Sequence, residues 1–467
     1  MGGSFLALAL PLKLRIDFSQ MPPQFTKLLN SAFLRGGGWA FMARILSALL
    51  VFALNALLVR MLSPSDLGFY FNLITVVNFC VVLSMLGMTQ ALVKLIAEKL
   101  GLGQASEAKQ LSLLSLALGL LGATLTGFIF LALSPQLANI FSNPGLWQGR
   151  YIALALIILQ VLQRLSAEIL RGFKDIRLAV LVASLLYNLM YVVGLVLLKM
   201  FRLASLEATL FLLAFVFAGV LAFALQALWH KLSQIEPLAK RDGGLIEQLI
   251  QLSMPLWLVS LINFVFTQAD IWFISFYRSS EEIALYGAAV RLVQLVITPL
   301  LIVNAVLPPY ISEYHAKGQT RALEKLLQMT SSFAAIPALL ILLSFLLFPK
   351  PILGLIYGEF YSAAAAVLVV LSIAQIVNVL TGTCAITLMM TGYGYLIMRV
   401  SLMSLLVLII SSVLLVKVWG MLGIALSFSL VLIMQNLILW WLAKKRLGLW
   451  THANFRFKGF QDILRIQ

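Results

Sequence analysis

Charge, cysteine and histidine are all scarce in this chain of 467 residues. Charged residues make up 11% of the sequence, against about 25% in a soluble domain. With 2 cysteines and 3 histidines, the sequence has too few ligands for a disulfide framework, a zinc site or a haem site. Cys80 and Cys384 lie in apolar segments and are expected to be small core residues. We therefore expect a membrane protein with no metal and no cofactor.

Long apolar runs are what the chain has instead. Hydrophobic residues make up 62% of it, and the mean hydropathy is +1.03. A helix needs about 20 apolar residues to cross ~30 Å of hydrocarbon. These runs are continuously apolar and do not alternate, which excludes a transmembrane β-barrel. We predict an all-α polytopic membrane protein with about 12 transmembrane helices. The predicted spans lie near 38–60, 69–89, 111–133, 149–170, 177–199, 205–229, 250–276, 284–307, 328–348, 361–391, 396–417 and 420–443.

The basic residues predict the orientation of these spans. Of the 33 lysines and arginines, 23 fall on the side of the N-terminus, 7 on the opposite side and 3 inside spans. Because cytoplasmic loops carry the excess of Lys and Arg, both termini are predicted to be cytoplasmic. The net charge of +16 is then explained by loops that face anionic lipid, and no nucleic-acid partner is expected.

The chain divides into five predicted regions. Residues 1–37 are a cytoplasmic lead-in, since their short apolar run precedes the basic residues, unlike a secretory signal. Residues 38–229 form an N-terminal six-helix bundle, 230–249 a cytoplasmic linker, 250–443 a C-terminal six-helix bundle and 444–467 a basic cytoplasmic tail. Both Met1 and Met21 are possible starts.

An internal repeat relates the two predicted bundles. The segment LSPSDLGFY at 62–70 matches RSSEEIALY at 278–286, and IAEKLGLGQASEAKQL at 96–111 matches ISEYHAKGQTRALEKL at 311–326. Both matches occur at nearly one offset and at equivalent points of the topology, which indicates a duplication. Six spans separate the copies, so both halves enter the membrane in the same direction. Pseudo-twofold symmetry about the membrane normal around a central cavity favours a transporter with alternating access.

The same residues resemble a known family. The stretch from Arg60 to Tyr70, and Leu86-Gly87-Met88 followed by Ala91-Leu92-Val93-Lys94, are similar to polysaccharide flippases. These are the O-antigen or Wzx-type branch of the multidrug/oligosaccharidyl-lipid/polysaccharide exporter superfamily. The resemblance implies two six-helix bundles around a V-shaped cavity. It also implies a cargo of undecaprenyl-diphosphate-linked oligosaccharide, moved from the cytoplasmic to the outer leaflet of the bacterial inner membrane.

Five ionisable residues lie inside predicted spans: Arg44, Arg164, Glu168, Asp270 and Arg291. Each costs at least ~2.5–3.5 kcal/mol at a helix centre and is a candidate functional residue. Arg164 and Glu168, at i and i+4, are predicted to pair, with Glu168 as an alternative proton carrier. Asp270 and Arg291 stand at similar depths and are predicted to form a salt bridge, either structural or a switchable lock.

Two further residues are candidates for the cavity wall beside Arg291. Arg44 either binds a diphosphate bidentately or reaches the cytoplasmic interface. Arg44 and Arg291 occupy the spans, first and eighth, whose arginines the resemblance assigns to the wall. Asn378 belongs to an unusually polar stretch of span 10 and is a candidate for substrate binding, although such residues more often join helices.

Three functions fit a polytopic protein of this size. A flippase for lipid-linked oligosaccharide is favoured, with membrane lipids and other polysaccharide-assembly proteins as partners. A cation-coupled multidrug exporter shares the topology, but Glu168 and Asp270, its candidate acidic groups, each have a predicted arginine partner. A glycosyltransferase or polymerase is disfavoured, because the longest predicted outer loop, 134–148, contains no Asp, Glu or His. A P-loop motif for a nucleotide is also absent from the sequence.

Overall fold

A computed structural model describes residues 37–140, 147, 149–236 and 244–455. These residues are almost entirely helical and contain no strand. The predicted lead-in, the middle of the linker and the end of the tail lie outside the described residues. The helices of the N-terminal half are α1 (Gly37–Met61), α2 (Pro64–Ser84), α3 (Met88–Gly101), α4 (Ala105–Ile140), α5 (Arg150–Gly172), α6 (Ile176–Met200) and α7 (Leu206–Ser233).

The C-terminal half repeats this pattern with more interruptions. Its helices are α8 (Gly244–Tyr277), α9 (Ser280–Val306), α10 (Pro308–Ala316), α11 (Thr320–Leu347), α12 (Pro349–Tyr357), α13 (Glu359–Thr381, beginning with a 3-10 turn), α14 (Cys384–Met390) and α15 (Gly394–Leu447). Span 10, expected at 361–391, is broken at Gly382 into α13 and α14.

The described residues contain helical segments that correspond to all twelve predicted spans. Ten helices are long and apolar enough to cross a membrane, and α1 adds an apolar helix of 25 residues. The 54 residues of α15 contain a non-helical residue, Gly420. Its two arms fold back on each other, because Ser412 Oγ lies 3.0 Å from Ser427 Oγ and Gln435 donates to Ser401 at 3.1 Å. The prediction of an all-α polytopic membrane protein with about 12 helices is confirmed.

The sequence repeat has a counterpart in local geometry. Ser63 and Ser279 cap α2 and α9, each accepting from the backbone N–H three residues later. After α3 and α10, Gly103 and Gly318 take left-handed φ angles of 76° and 66°, the conformation that ends helices and favours glycine. The two halves therefore share equivalent helix starts and stops at nearly one offset.

The two halves meet where α2 packs against α8 and α9. On the predicted outer side, where α1 ends and α2 begins, the lack of a side chain at Gly68 lets α2 approach Ser280 at the start of α9. Deeper in the membrane, the Phe79 ring of α2 lies 5.1 Å from the Trp272 ring of α8. Small residues permit such close approach between membrane helices.

We expect Gly68→Ala to destabilise this contact. An added Cβ would overlap the backbone oxygen of Ser280, and such overpacking costs about 1–3 kcal/mol. The matched control is Gly101→Ala at the end of α3, where a Cβ meets nothing within 4 Å and removal of a helical glycine is neutral or stabilising. Thermal unfolding of both variants in detergent measures the difference. Equal melting temperatures would contradict the close approach.

Candidate functional site

A cavity of about 510 Å³ lies between the two halves. The N-terminal half contributes walls from α1 and α6, and the C-terminal half contributes α8, α9, α13 and α15. Its polar lining residues include Asn55 and Asn188 from the N-terminal half, and Asp270, Arg291, Gln294 and Gln375 from the C-terminal half. A wall shared between two halves is where a transporter of this architecture exposes its substrate site.

A second cavity of about 210 Å³ adjoins the first and extends among the helices of the N-terminal half. The two cavities share wall residues Val51, Asn55, Tyr187, Asn188 and Arg291. Among the described residues that line the smaller cavity, the charged ones are two cations, Arg164 and Arg291. This part of the protein is therefore suited to an anionic group.

Arg291 stands at the junction of the two cavities. It belongs to α9 in the C-terminal half, but its guanidinium lies 5.3 Å from the centre of the Phe71 ring in the N-terminal half. A cation over an aromatic face is attracted by the ring quadrupole. Within the described chain, Arg291 Nε has no hydrogen-bond partner. The guanidinium thus keeps donor capacity for a ligand.

The predicted ion pair between Asp270 and Arg291 is not formed. Asp270 is 3% exposed, and its Oδ2 accepts a hydrogen bond of 3.0 Å from the Tyr286 hydroxyl. Its Oδ1 accepts from the backbone N–H of Ile271 at 2.8 Å. Tyr286 and Arg291 are five residues apart on α9, so they point roughly 140° apart. Tyr286 therefore binds the Asp270 carboxylate, and Arg291 faces Phe71 of α2.

The predicted pair between Arg164 and Glu168 is not formed either. Glu168 binds Arg171 in the last turn of α5 at 2.6 Å, while Arg164 donates to Asn78 Oδ1 at 3.1 Å. A carboxylate that precedes its cation along a helix is better placed than the reverse order, which favours Arg171. Arg164 is consequently left without a carboxylate partner in the described structure and lines the smaller cavity.

The remaining two candidates lie at or behind the cavity wall. Arg44 is in α1, one helical turn before Ala48, which lines the larger cavity; the side chain of Arg44 lies outside the described part. Asn378 is absent from the lining of both cavities and donates to Gln375 Oε1 at 3.0 Å. It therefore positions Gln375, which does line the larger cavity.

The sequence prediction missed an aromatic cluster of the smaller cavity. Tyr187 lines both cavities and stacks on Phe217, with ring centroids 5.1 Å apart. The hydroxyls of Tyr70 and Tyr191 lie 3.3 Å apart. Tyr187 and Asn188 are adjacent polar residues in a largely apolar span, and this pattern was the sequence signal that could have indicated the cluster.

A π-helical turn sets the position of Tyr187 and Asn188. Residues Leu181–Leu185 form this turn within α6, and the side-chain amide of Gln163 from α5 donates to the Val182 carbonyl. Such turns are frequent at functional sites because they rotate the residues that follow. Asn188 is 1% exposed, and its Oδ1 has no hydrogen-bond partner within the described chain. This acceptor is available to a polar ligand.

Comparison with known families identifies the chain. Residues 57–366 match the family described as "Polysaccharide biosynthesis protein". The chain belongs to this family. No curated protein matches the sequence at a significant level.

Several solved structures share the fold of this chain. A multidrug-resistance MATE-family transporter of the MOP superfamily, in an inward-facing conformation, superposes with a TM-score of 0.69 at 14% identity, covering 87% of this chain and 98% of that one. The lipid II flippase MurJ, in an inward closed conformation, gives 0.68 at 15% identity, covering 90% and 89%. A MOP-superfamily transporter from Pyrococcus furiosus, described by a binding pocket of reverse polarity, gives 0.60 at 13%, covering 87% and 96%.

The family match confirms the expected relation to polysaccharide biosynthesis, and the solved structures share the multi-pass helical fold. At such low identity, the neighbours establish the fold alone.

Proposed function

We propose that this protein flips undecaprenyl-diphosphate-linked oligosaccharide, a polysaccharide or O-antigen repeat unit, across the bacterial inner membrane by alternating access. The observation that carries the proposal is the polarity of the paired cavities. Arg291 and Arg164 face them without a carboxylate ion pair, and the buried Asp270 is held by Tyr286. A guanidinium binds phosphate bidentately and keeps its charge when buried. The cavities thus favour an anionic headgroup over a cationic drug.

The neutral lining supports a carbohydrate. Amide side chains and tyrosine rings both line the smaller cavity, among them Asn78, Asn188, Tyr70 and Tyr187. Amides provide both donors and acceptors for hydroxyl groups, and rings offer an apolar face with a polar tip. In this proposal the diphosphate binds near Arg291, with Arg44 on the same wall. The sugars occupy the polar space and the lipid tail stays in the bilayer.

Coupling is assigned to Asp270. It is a buried carboxylate on the C-terminal wall of the larger cavity, and its partner Tyr286 is a neutral hydroxyl. A change in its protonation or ion occupancy would alter the charge opposite Arg291. Glu168 is a weaker candidate because Arg171 neutralises it. The bundle boundaries, the cytoplasmic termini and the partnership with polysaccharide-assembly proteins are parts of the same proposal.

Reconstitution in liposomes tests the proposal. The measurement is protected-to-exposed transfer of a diphosphate-linked lipid oligosaccharide, with efflux of a cationic dye measured in parallel. Transfer of the lipid without dye efflux is the expected result. Dye efflux without lipid transfer would contradict the flippase and identify a multidrug exporter. Protein-free liposomes and liposomes with heat-denatured protein are the controls.

A further inference from the structure

The residues that follow α15 are folded into the C-terminal half. We define residues 449–454 as the C-terminal strap. Leu449 and Thr451 are 1% and 0% exposed, although they lie beyond the last membrane helix, which ends at Leu447. A short polar segment reaches such burial only when other groups satisfy its backbone. The strap therefore has a defined binding site in the protein.

One side of that site is the break in span 10. Gly382 separates α13 from α14 with φ 76°, and the break removes helical partners from the carbonyls before it. The strap replaces them. The Ala453 N–H donates to the Leu380 carbonyl at 2.8 Å, and the Thr451 hydroxyl donates to the Thr381 carbonyl at 2.7 Å. An unpaired backbone group in an apolar setting costs several kcal/mol, so these bonds stabilise the broken form.

The other side of the site is α11. The Ser331 hydroxyl donates to the Thr451 carbonyl at 2.8 Å. The backbone N–H of Asn454 donates to Ser332 Oγ at 2.8 Å, and its side-chain amide donates to Gln328 Oε1 at 3.1 Å. The strap thus joins spans 9 and 10, and three polar side chains of span 9 bond to it.

A chain of hydrogen bonds connects the strap to the cavity. The Thr381 hydroxyl donates to the Asn378 carbonyl at 3.0 Å, and the Asn378 amide donates to Gln375 Oε1 at 3.0 Å. Gln375 lines the larger cavity. The position of this wall is therefore linked to the geometry of the break.

Span 10 has a second way to satisfy its carbonyls. If the helix continued through Gly382, the N–H groups of Cys384 and Ala385 would bond to Leu380 and Thr381 in the usual i to i−4 pattern. The strap and the continuous helix thus compete for the same two acceptors. We propose that the C-terminal strap is a latch that keeps span 10 broken at Gly382, and that its release lets the helix close across the break and shifts the Gln375 wall.

Accessibility of the strap tests this competition. Ala453→Cys reports strap release through its rate of labelling by a membrane-impermeant maleimide; the native Cys80 and Cys384 are buried and give the background rate. In Gly382→Ala, a Cβ would overlap the Thr451 carbonyl and Ser331 Oγ. We expect labelling to accelerate roughly tenfold, as for loss of one buried hydrogen bond. Thr451→Val, which keeps the shape and removes the donor, should do the same.

Gly392→Ala is the matched control. Gly392 follows α14 with φ 88°, and a Cβ there meets nothing within 4 Å. It carries the same backbone strain without touching the strap, so its labelling rate should equal that of the parent protein. Unchanged labelling in both Gly382→Ala and Thr451→Val, or equal acceleration in Gly392→Ala, would overturn the latch.

A reversible cross-link separates a moving latch from a fixed brace. Ser332→Cys with Asn454→Cys places two thiols beside the present hydrogen bond between the Asn454 backbone N–H and Ser332 Oγ. Oxidation should slow lipid transfer at least tenfold, and reduction should restore the original rate. Full transfer by the oxidised protein would show a fixed brace and overturn the proposal. If the parent protein transfers no lipid, the proposed function fails, and the labelling rates alone decide on the latch.

Discussion

Arg291→Ala is expected to reduce transfer of the diphosphate-linked lipid by roughly ten- to a hundredfold. That factor corresponds to about 1.5–3 kcal/mol for a hydrogen bond to a charged group. Arg291 is at the junction of both cavities, and its Nε is unpartnered in the described structure. Arg291→Lys keeps the charge without the bidentate geometry, so an intermediate rate is expected. The measurement is initial transfer rate in liposomes at equal protein content.

Arg150→Ala is the control for loss of a stacked arginine. The Arg150 guanidinium lies 3.5 Å from the Trp147 ring centre and 4.6 Å from that of Tyr151, so it shares the cation–π environment of Arg291. It lines neither cavity. Transfer should stay within about twofold of the parent, as for most exposed contacts.

Arg44→Ala should reduce lipid transfer to a similar extent as Arg291→Ala. Full activity in both of those variants at parental expression would defeat the cavity-arginine proposal.

Arg60→Ala is expected to open the predicted outer side. Arg60 ends α1 in the N-terminal half, and its Nε donates to the Ile356 carbonyl of α12 in the C-terminal half at 2.7 Å. A second guanidinium nitrogen bonds to the Leu355 carbonyl. A cation at a helix C-terminus is further stabilised by the helix dipole. In the proposed alternating-access cycle the outer ends separate, and this contact would break each time they do.

Labelling of Leu54→Cys measures this opening. Leu54 lines the smaller cavity, and a membrane-impermeant reagent reaches it from outside only when the outer ends part. We expect roughly tenfold faster labelling in Arg60→Ala, as for loss of about 1.4 kcal/mol. Arg278→Ala is the matched control, because Arg278 donates to the Val416 carbonyl at 2.9 Å within the C-terminal half. Equal labelling in the two arginine variants would show that Arg60 does not hold the outer ends of the two halves together.

The helices and their duplication follow from local sequence. Twelve apolar runs gave the membrane segments because burial in lipid depends on the composition of about 20 consecutive residues. Ser63 and Ser279 fixed equivalent helix starts, and Gly103 and Gly318 equivalent ends. Capping and left-handed φ angles are decided within one helical turn. The break in span 10 also has a local basis, since Gly382 can adopt the positive φ that the break requires.

The partners of the charged residues were decided by tertiary structure. Spacing placed Arg164 beside Glu168 and depth placed Asp270 beside Arg291, but Arg171 and Tyr286 took the two carboxylates. The competing bonds differ by only about 1 kcal/mol, so the outcome depends on which side chain the packed helices bring closest. The strap was equally hidden, because its partners Ser331 and Thr381 are 120 and 70 residues away from Thr451 in sequence. Sequence by itself determined the helices, their repeat and the presence of buried charge. Only the packing of helices from both halves decided which arginines face the cavities. The possible partners are nearly equal in energy, so the outcome depends on contacts between residues that are distant in sequence.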